Sequence, residues 1–192
     1  FLKILPISLA TVAIVSPWWM LQGSTSQIET STKMYLIPLE LVTTTITPDI
    51  IAGEFAFLPE IFLNIVSLVP LLTAIGCFLV ISSLFFKNFN KTLYFLLLIL
   101  AFLFFICSIL IFFVGVSALA EVGVGSFIGS GNLDIGLPGE EIFSKIFCSW
   151  GPNLGFYLYM TSIIALFLNI IFTMRKSIKT NLSCYINKVF RI

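Results

Sequence analysis

Four long apolar stretches, Leu2 to Leu21, Ile61 to Phe86, Thr92 to Leu119 and Gly155 to Met174, carry no charge in their interiors. Each is long enough to cross a ~30 Å hydrocarbon core as a helix rising about 1.5 Å per residue. The charges are sorted between them by sign. All nine acidic residues fall within 22–60 and 120–153, whereas eight of the ten basic residues lie elsewhere. Lys3 lies at the very start of the first stretch, Lys87 and Lys91 join the second to the third, and Arg175, Lys176, Lys179, Lys188 and Arg191 follow the fourth. Basic residues stay on the cytoplasmic side of a membrane, so both termini are expected inside and the acidic segments outside.

Composition agrees with lipid as the main solvent. Apolar residues make up 59% of the chain and charged ones 10%, against about 25% charged in a soluble domain, and the mean hydropathy is +1.12. The chain begins at Phe1. Its first stretch ends in Pro17-Trp18-Trp19 rather than the small residues of a cleavage site, which reads as a retained helix with its tryptophans at the outer headgroup level.

The expected fold class is an all-α membrane protein: a four-transmembrane-helix bundle with a small extracytoplasmic β-sheet from the first outer loop. Helices are expected over 1–22, 59–86, 92–120 and 153–174. Between them lie an extracytoplasmic β-rich segment (23–58), a cytoplasmic turn (87–91) and an extracytoplasmic glycine-rich loop (121–152), with a basic amphipathic cytoplasmic tail over 175–192. Tyr35, Ile37, Leu39 and Leu41 alternate ahead of a threonine run, which reads as two or three strands with one apolar face. Thr47-Pro48-Asp49 resembles a helix start leading into Ile50 to Leu58. Pro70 is expected to kink the second span, and the third is long enough to tilt or to project past Gly115. Six glycines between Gly123 and Gly139 indicate a flexible or tightly turned loop, since no lysine follows as a nucleotide loop requires. The tail either lies on anionic lipid or extends the fourth span.

Chemistry is mostly excluded by what the chain lacks. With no histidine, bis-histidine haem, most zinc and copper catalytic sites and the commonest general base are removed. The spans carry no internal ionisable acid or base of the kind a coupled carrier keeps. Asn64, Ser67, Thr73, Ser82, Ser83, Ser108, Ser117, Thr161, Ser162 and Asn169 lie within them and read as packing contacts rather than a conduction path. The four cysteines, Cys77, Cys107, Cys148 and Cys184, imply no disulfide between outer segments. The sequons at Asn90 and Asn181 fall on the inner side and are expected to be silent.

Pro17-Trp18-Trp19 after the first helix and Gly155-Phe156-Tyr157-Leu158-Tyr159 at the start of the fourth resemble the proline-x-tryptophan and glycine-x-x-leucine-tyrosine motifs of the claudin and peripheral myelin protein superfamily. That family's glycine-leucine-tryptophan and paired cysteines are missing from the first outer segment. The resemblance implies a left-handed four-helix bundle capped by a small sheet, working through contacts with other proteins.

A noncatalytic integral protein of the cell membrane follows as the expectation, one that makes structural or assembly contacts through its extracytoplasmic domain. An edge strand within Ser24 to Thr47 is the expected contact surface, with Tyr35, Ile37, Leu39 and Leu41 as candidate partner contacts. Trp18, Trp19, Trp150, Arg175 and Lys176 are the candidate interface anchors. Expected partners are membrane lipids and other membrane-protein subunits or further copies of the chain, with no nucleic acid. No cofactor is expected beyond bound lipid or quinone. Two other readings stand beside this one: an accessory subunit of a respiratory or quinone-linked membrane enzyme, and a channel or transporter component.

Overall fold

A computed structural model describes residues 4–25, 28–46, 51–55, 60–87, 89–136 and 143–189; side chains are described for these except 51–61, 63, 118–123, 134–144 and 176–189. The first helix, α1 (Leu5–Val15), has only 11 residues. Pro6 sits in its first turn, where a missing N–H costs nothing. Its end is set by Pro17, which forces the preceding Ser16 out of the helical region to φ −91° and ψ 156°. The chain then enters strand β1 (Trp19–Ser24), so the helix expected over 1–22 stops well short. At about 1.5 Å per residue α1 covers about half a hydrocarbon core.

Three helices are long and apolar enough to cross a membrane: Asn64–Phe86, Lys91–Ser117 and Leu154–Arg175. This corrects the expected four spans to three among the described residues, and it marks the chain as a membrane protein. Helices α2 (Glu60–Val66) and α3 (Leu68–Phe86) form one run broken at Ser67. The break lies three residues before Pro70, because the proline ring crowds the Val66 carbonyl and supplies no N–H to bond it. Ser67 Oγ donates to the Asn64 carbonyl at 2.9 Å. Helix α4 (Lys91–Gly123) opens on Asn90, whose Oδ1 accepts from the Thr92 and Leu93 N–H groups. Helix α5 (Leu154–Val189) runs unbroken for 36 residues, so the tail backbone continues the span; the side chains of its amphipathic stripe lie outside the described residues. Phe78, Phe85, Leu103, Val114, Ile164 and Phe172 are exposed on the helices, as lipid-facing positions require.

The β-structure is larger than expected. Strands β1, β2 (Glu29–Leu36), β3 (Leu39–Ile46), β4 (Ile51–Phe55), β5 (Gly129–Gly136) and β6 (Phe143–Pro152) form one antiparallel six-stranded sheet, in the order β4-β3-β2-β1-β6-β5. The all-α description with a small first-loop sheet is therefore overturned. Both long connections feed the same sheet, and the fold is a helical bundle with a substantial β-layer at one end. Of the helix expected to start at Thr47-Pro48-Asp49 and run through Ile50 to Leu58, residues 51–55 are instead β4, which pairs with Val42–Ile46; 47–50 and 56–58 lie outside the described residues. The glycine-rich loop is likewise mostly strand. Gly129 and Gly131 lie under the Trp150 ring, and a Cβ at Gly129 would approach Trp150 Cζ2 to 2.9 Å, so glycine here makes room for an indole.

Sheet and helices meet at Trp18. Its ring is fully buried, with centroids 4.7 Å from Phe112 and 5.0 Å from Tyr159, and its Nε1 donates to the Ala13 carbonyl at 2.7 Å. The Trp18 N–H donates to Met34 on β2, while its carbonyl accepts from Asn153 at the head of α5. Gly155 lies against this junction: an added Cβ would stand 2.5 Å from Trp18 Cδ1, 2.8 Å from the Ser16 carbonyl and 2.9 Å from the Ala13 carbonyl. Two of those atoms are backbone and cannot swing aside. Gly155→Ala is expected to cost about 1–3 kcal/mol of stability through overpacking, seen as a lower melting temperature in detergent. Gly131→Ala, whose Cβ would meet only Trp150 Cη2 at 3.6 Å, should shift it far less.

Candidate functional site: the groove on the sheet

Strand alternation gives the sheet two unlike faces. One carries Trp19, Gly23, Met34, Leu36, Ile146, Cys148 and Trp150, all buried, together with buried Thr30 and Thr45. Its β2–β3 hairpin is cross-linked by hydroxyls: Thr32 and Thr43 meet at 2.9 Å and Thr30 and Thr45 at 3.4 Å. Such cross-strand threonine pairs each add a fraction of a kcal/mol.

The opposite face bounds a groove of about 600 Å³. Its floor is set by register. Thr44 pairs with Ser31, Ser31 with Gln22, and Gln22 with Ser149, placing an uncharged hydrogen-bonding side chain on each of four adjacent strands. Ser130, opposite Ser149 on β5, continues the row. Lys33 flanks it on one side and Glu29 on the other, and Tyr35, Phe147, Met20 and Ile46 stand around it.

The sequence-predicted residues are distributed differently from expectation. Trp18, Trp19 and Trp150 are covered by protein rather than facing lipid headgroups. The Trp19 and Trp150 indoles donate to the Phe127 and Ser126 carbonyls, pinning the turn after α4 to the sheet. Arg175 is exposed at the end of the third candidate span, and the Lys176 side chain lies outside the described residues. Tyr35, Ile37, Leu39 and Leu41 do not share one strand, because β2 ends at Leu36 and the Ile37-Pro38 turn, with a cis peptide, leads into β3. Tyr35 pairs with Glu40 and looks into the groove, whereas Leu41 pairs with Met34 on the bundle side. The edge strand expected within Ser24 to Thr47 is not an edge: β2 and β3 are both internal, and the sheet ends in β4 and β5.

Among the span hydroxyls, three converge where α3, α4 and α5 pack. Thr73 Oγ1 lies 2.8 Å from Tyr159 Oη and 3.4 Å from Ser108 Oγ, and all three residues are buried. Ser162 Oγ donates to the Pro6 carbonyl of α1 at 2.6 Å. These residues join helices. Sequence reasoning missed Tyr159 as the centre of the node, although a tyrosine four residues after Gly155, on the same helix face, was the available signal.

Fold and groove define a membrane protein that presents a six-stranded sheet at one end of its helices. Among the described residues no three histidine, cysteine, aspartate or glutamate side chains are grouped to hold a metal. The chain matches no protein-family model and no curated protein.

Thr73→Val and Tyr159→Phe should each lower stability by about 0.6 kcal/mol, and by no more than about 1.7 kcal/mol. The double variant should lose less than the sum of the two in a denaturant titration, since one contact is removed twice. Burial pushes the Cys148 thiol above its ordinary range. At about pH 8, therefore, maleimide should label Cys148 slowly in the folded protein and rapidly after unfolding in detergent. A thiol that keeps its proton longer when folded supports stability below the ordinary thiol value, and that support is lost as pH climbs past it.

Proposed function

We propose that this protein is a noncatalytic membrane protein whose sheet faces outward and makes assembly contacts, either with other membrane-protein subunits or with further copies of the chain. The turn joining α3 to α4 and the end of the third span are then cytoplasmic, in the cell membrane, because Lys87, Lys91 and Arg175 lie at the span ends remote from the sheet. The observation that carries the reading is the β5 edge. Its sequence, Gly129-Ser-Gly-Asn-Leu-Asp-Ile-Gly, contains neither proline nor lysine, and its one charge, Asp134, stands opposite Lys145 on β6, so little guards the edge against another strand. It is braced behind by β6, which passes into α5 with only Asn153 between them. An edge mounted in this way can accept a partner strand through its backbone groups. The resemblance to the claudin and peripheral myelin protein superfamily supports the same role, as its two motifs contribute the Trp18 and Gly155 sides of one junction.

Lysines placed on this edge test the reading. Ser130→Lys with Asn132→Lys should leave membrane insertion and melting temperature unchanged, yet abolish the oligomer or the copurifying subunit seen for the wild-type chain on a native gel. An unchanged band in the double variant would refute edge-mediated assembly.

A further inference from the structure

We infer that the groove on the sheet is a binding site for a neutral oligosaccharide. The row Thr44–Ser31–Gln22–Ser149 crosses β3, β2, β1 and β6 and spans about 14 Å at the usual interstrand spacing of ~4.8 Å. Its side chains are three hydroxyls and one amide. Each of these groups both donates and accepts hydrogen bonds, which matches a ligand whose own groups are hydroxyls and mismatches a phosphate or carboxylate, which accept only. The formal charges at the sides, Lys33 and Glu29, are one of each sign, so the groove selects no net ionic charge. They add a strong donor at one margin and a strong acceptor at the other. Tyr35 and Phe147 supply flat apolar surface beside the polar floor, the pairing that a sugar ring with one C–H face and a hydroxyl rim requires.

A protein partner fits this face less well. The centre of a protein interface is built on apolar and aromatic anchors with polar groups at the rim. Here the order is reversed: Gln22 and Ser31 occupy the middle, and Met20, Ile46 and Phe147 the surround. The residues lining the groove lie on β1, β2, β3 and β6, whereas assembly is proposed through the backbone of β5, and neither reading depends on the other.

The full chain in lipid nanodiscs should be titrated with two neutral tetrasaccharides, a β-linked and an α-linked glucose tetramer. Tetragalacturonate and a Gly-Ser octapeptide serve as acidic and peptide probes, with binding followed by saturation-transfer NMR and calorimetry. At least one neutral tetramer should bind at millimolar concentration, with contacts reported by Tyr35 and Phe147, and the acidic and peptide probes should bind at least tenfold more weakly. The near-isosteric changes Ser31→Val and Thr44→Val together should weaken binding by about tenfold or more while leaving the melting temperature unchanged. Gln22→Met, judged against its own melting temperature, provides a second variant should the first pair disturb the sheet. The proposal is overturned if neither neutral tetramer binds, if the folded variants bind as the wild type does, or if the acidic or peptide probe binds as well as the sugars. The Ser31→Val, Thr44→Val variant, whose changes lie on the internal strands β2 and β3, should keep the native-gel band of the wild-type chain, which separates this site from edge-mediated assembly.

Discussion

The close approach of Trp18 to Gly155 is the constraint on which the rest of the molecule depends. At this one point the end of α1, the start of α5 and the strands β1 and β2 are joined by ring packing and by main-chain hydrogen bonds. The geometry has no slack, because the α5 backbone comes near enough to the indole and to two carbonyls that even a methyl group is excluded. With the junction formed, β1 leaves the bundle in a set direction and carries β2 and β6 on its two flanks.

The two faces of the sheet follow from that placement. Indoles, methionine and leucine fill the side toward the helices, and the hydroxyls among them are consumed by one another across the β2–β3 hairpin. The other side holds serines, threonine and glutamine with no partner element among the described residues. A polar floor inside a groove is a poor place for another protein's core and a good place for a hydroxylated ligand, whereas β5 lies at the edge of the sheet. In the readings proposed above, recognition and assembly fall to different parts of one small layer.

How far the fold was legible can be traced residue by residue. Spans around Phe78, Leu103 and Ile164 announced themselves by unbroken hydropathy, and the threonines at 43–45 announced a strand. Strand β1 was hidden because Trp19 to Leu21 continue an apolar run, and a 20-residue apolar run reads as a helix until the effect of Pro17 on Ser16 is given its weight. Strand β6 was hidden by its glycine-rich surroundings, although Ile146, Cys148 and Trp150 alternate with Lys145, Phe147 and Ser149. β4 was misread because a helix-start pattern is local, whereas pairing with β3 is not. The groove was not legible at all: Gln22, Ser31, Thr44 and Ser149 are unremarkable singly, and only register brings them into line.

Strand β6 passes into α5 across a single residue, and α5 then continues as one helix beyond the length a bilayer needs. Along this path Asn153 alone interrupts regular secondary structure. A tilt of the sheet would carry along the helix axis to its far end, on the order of 50 Å away. The sheet and the distal end of α5 are two ends of one lever.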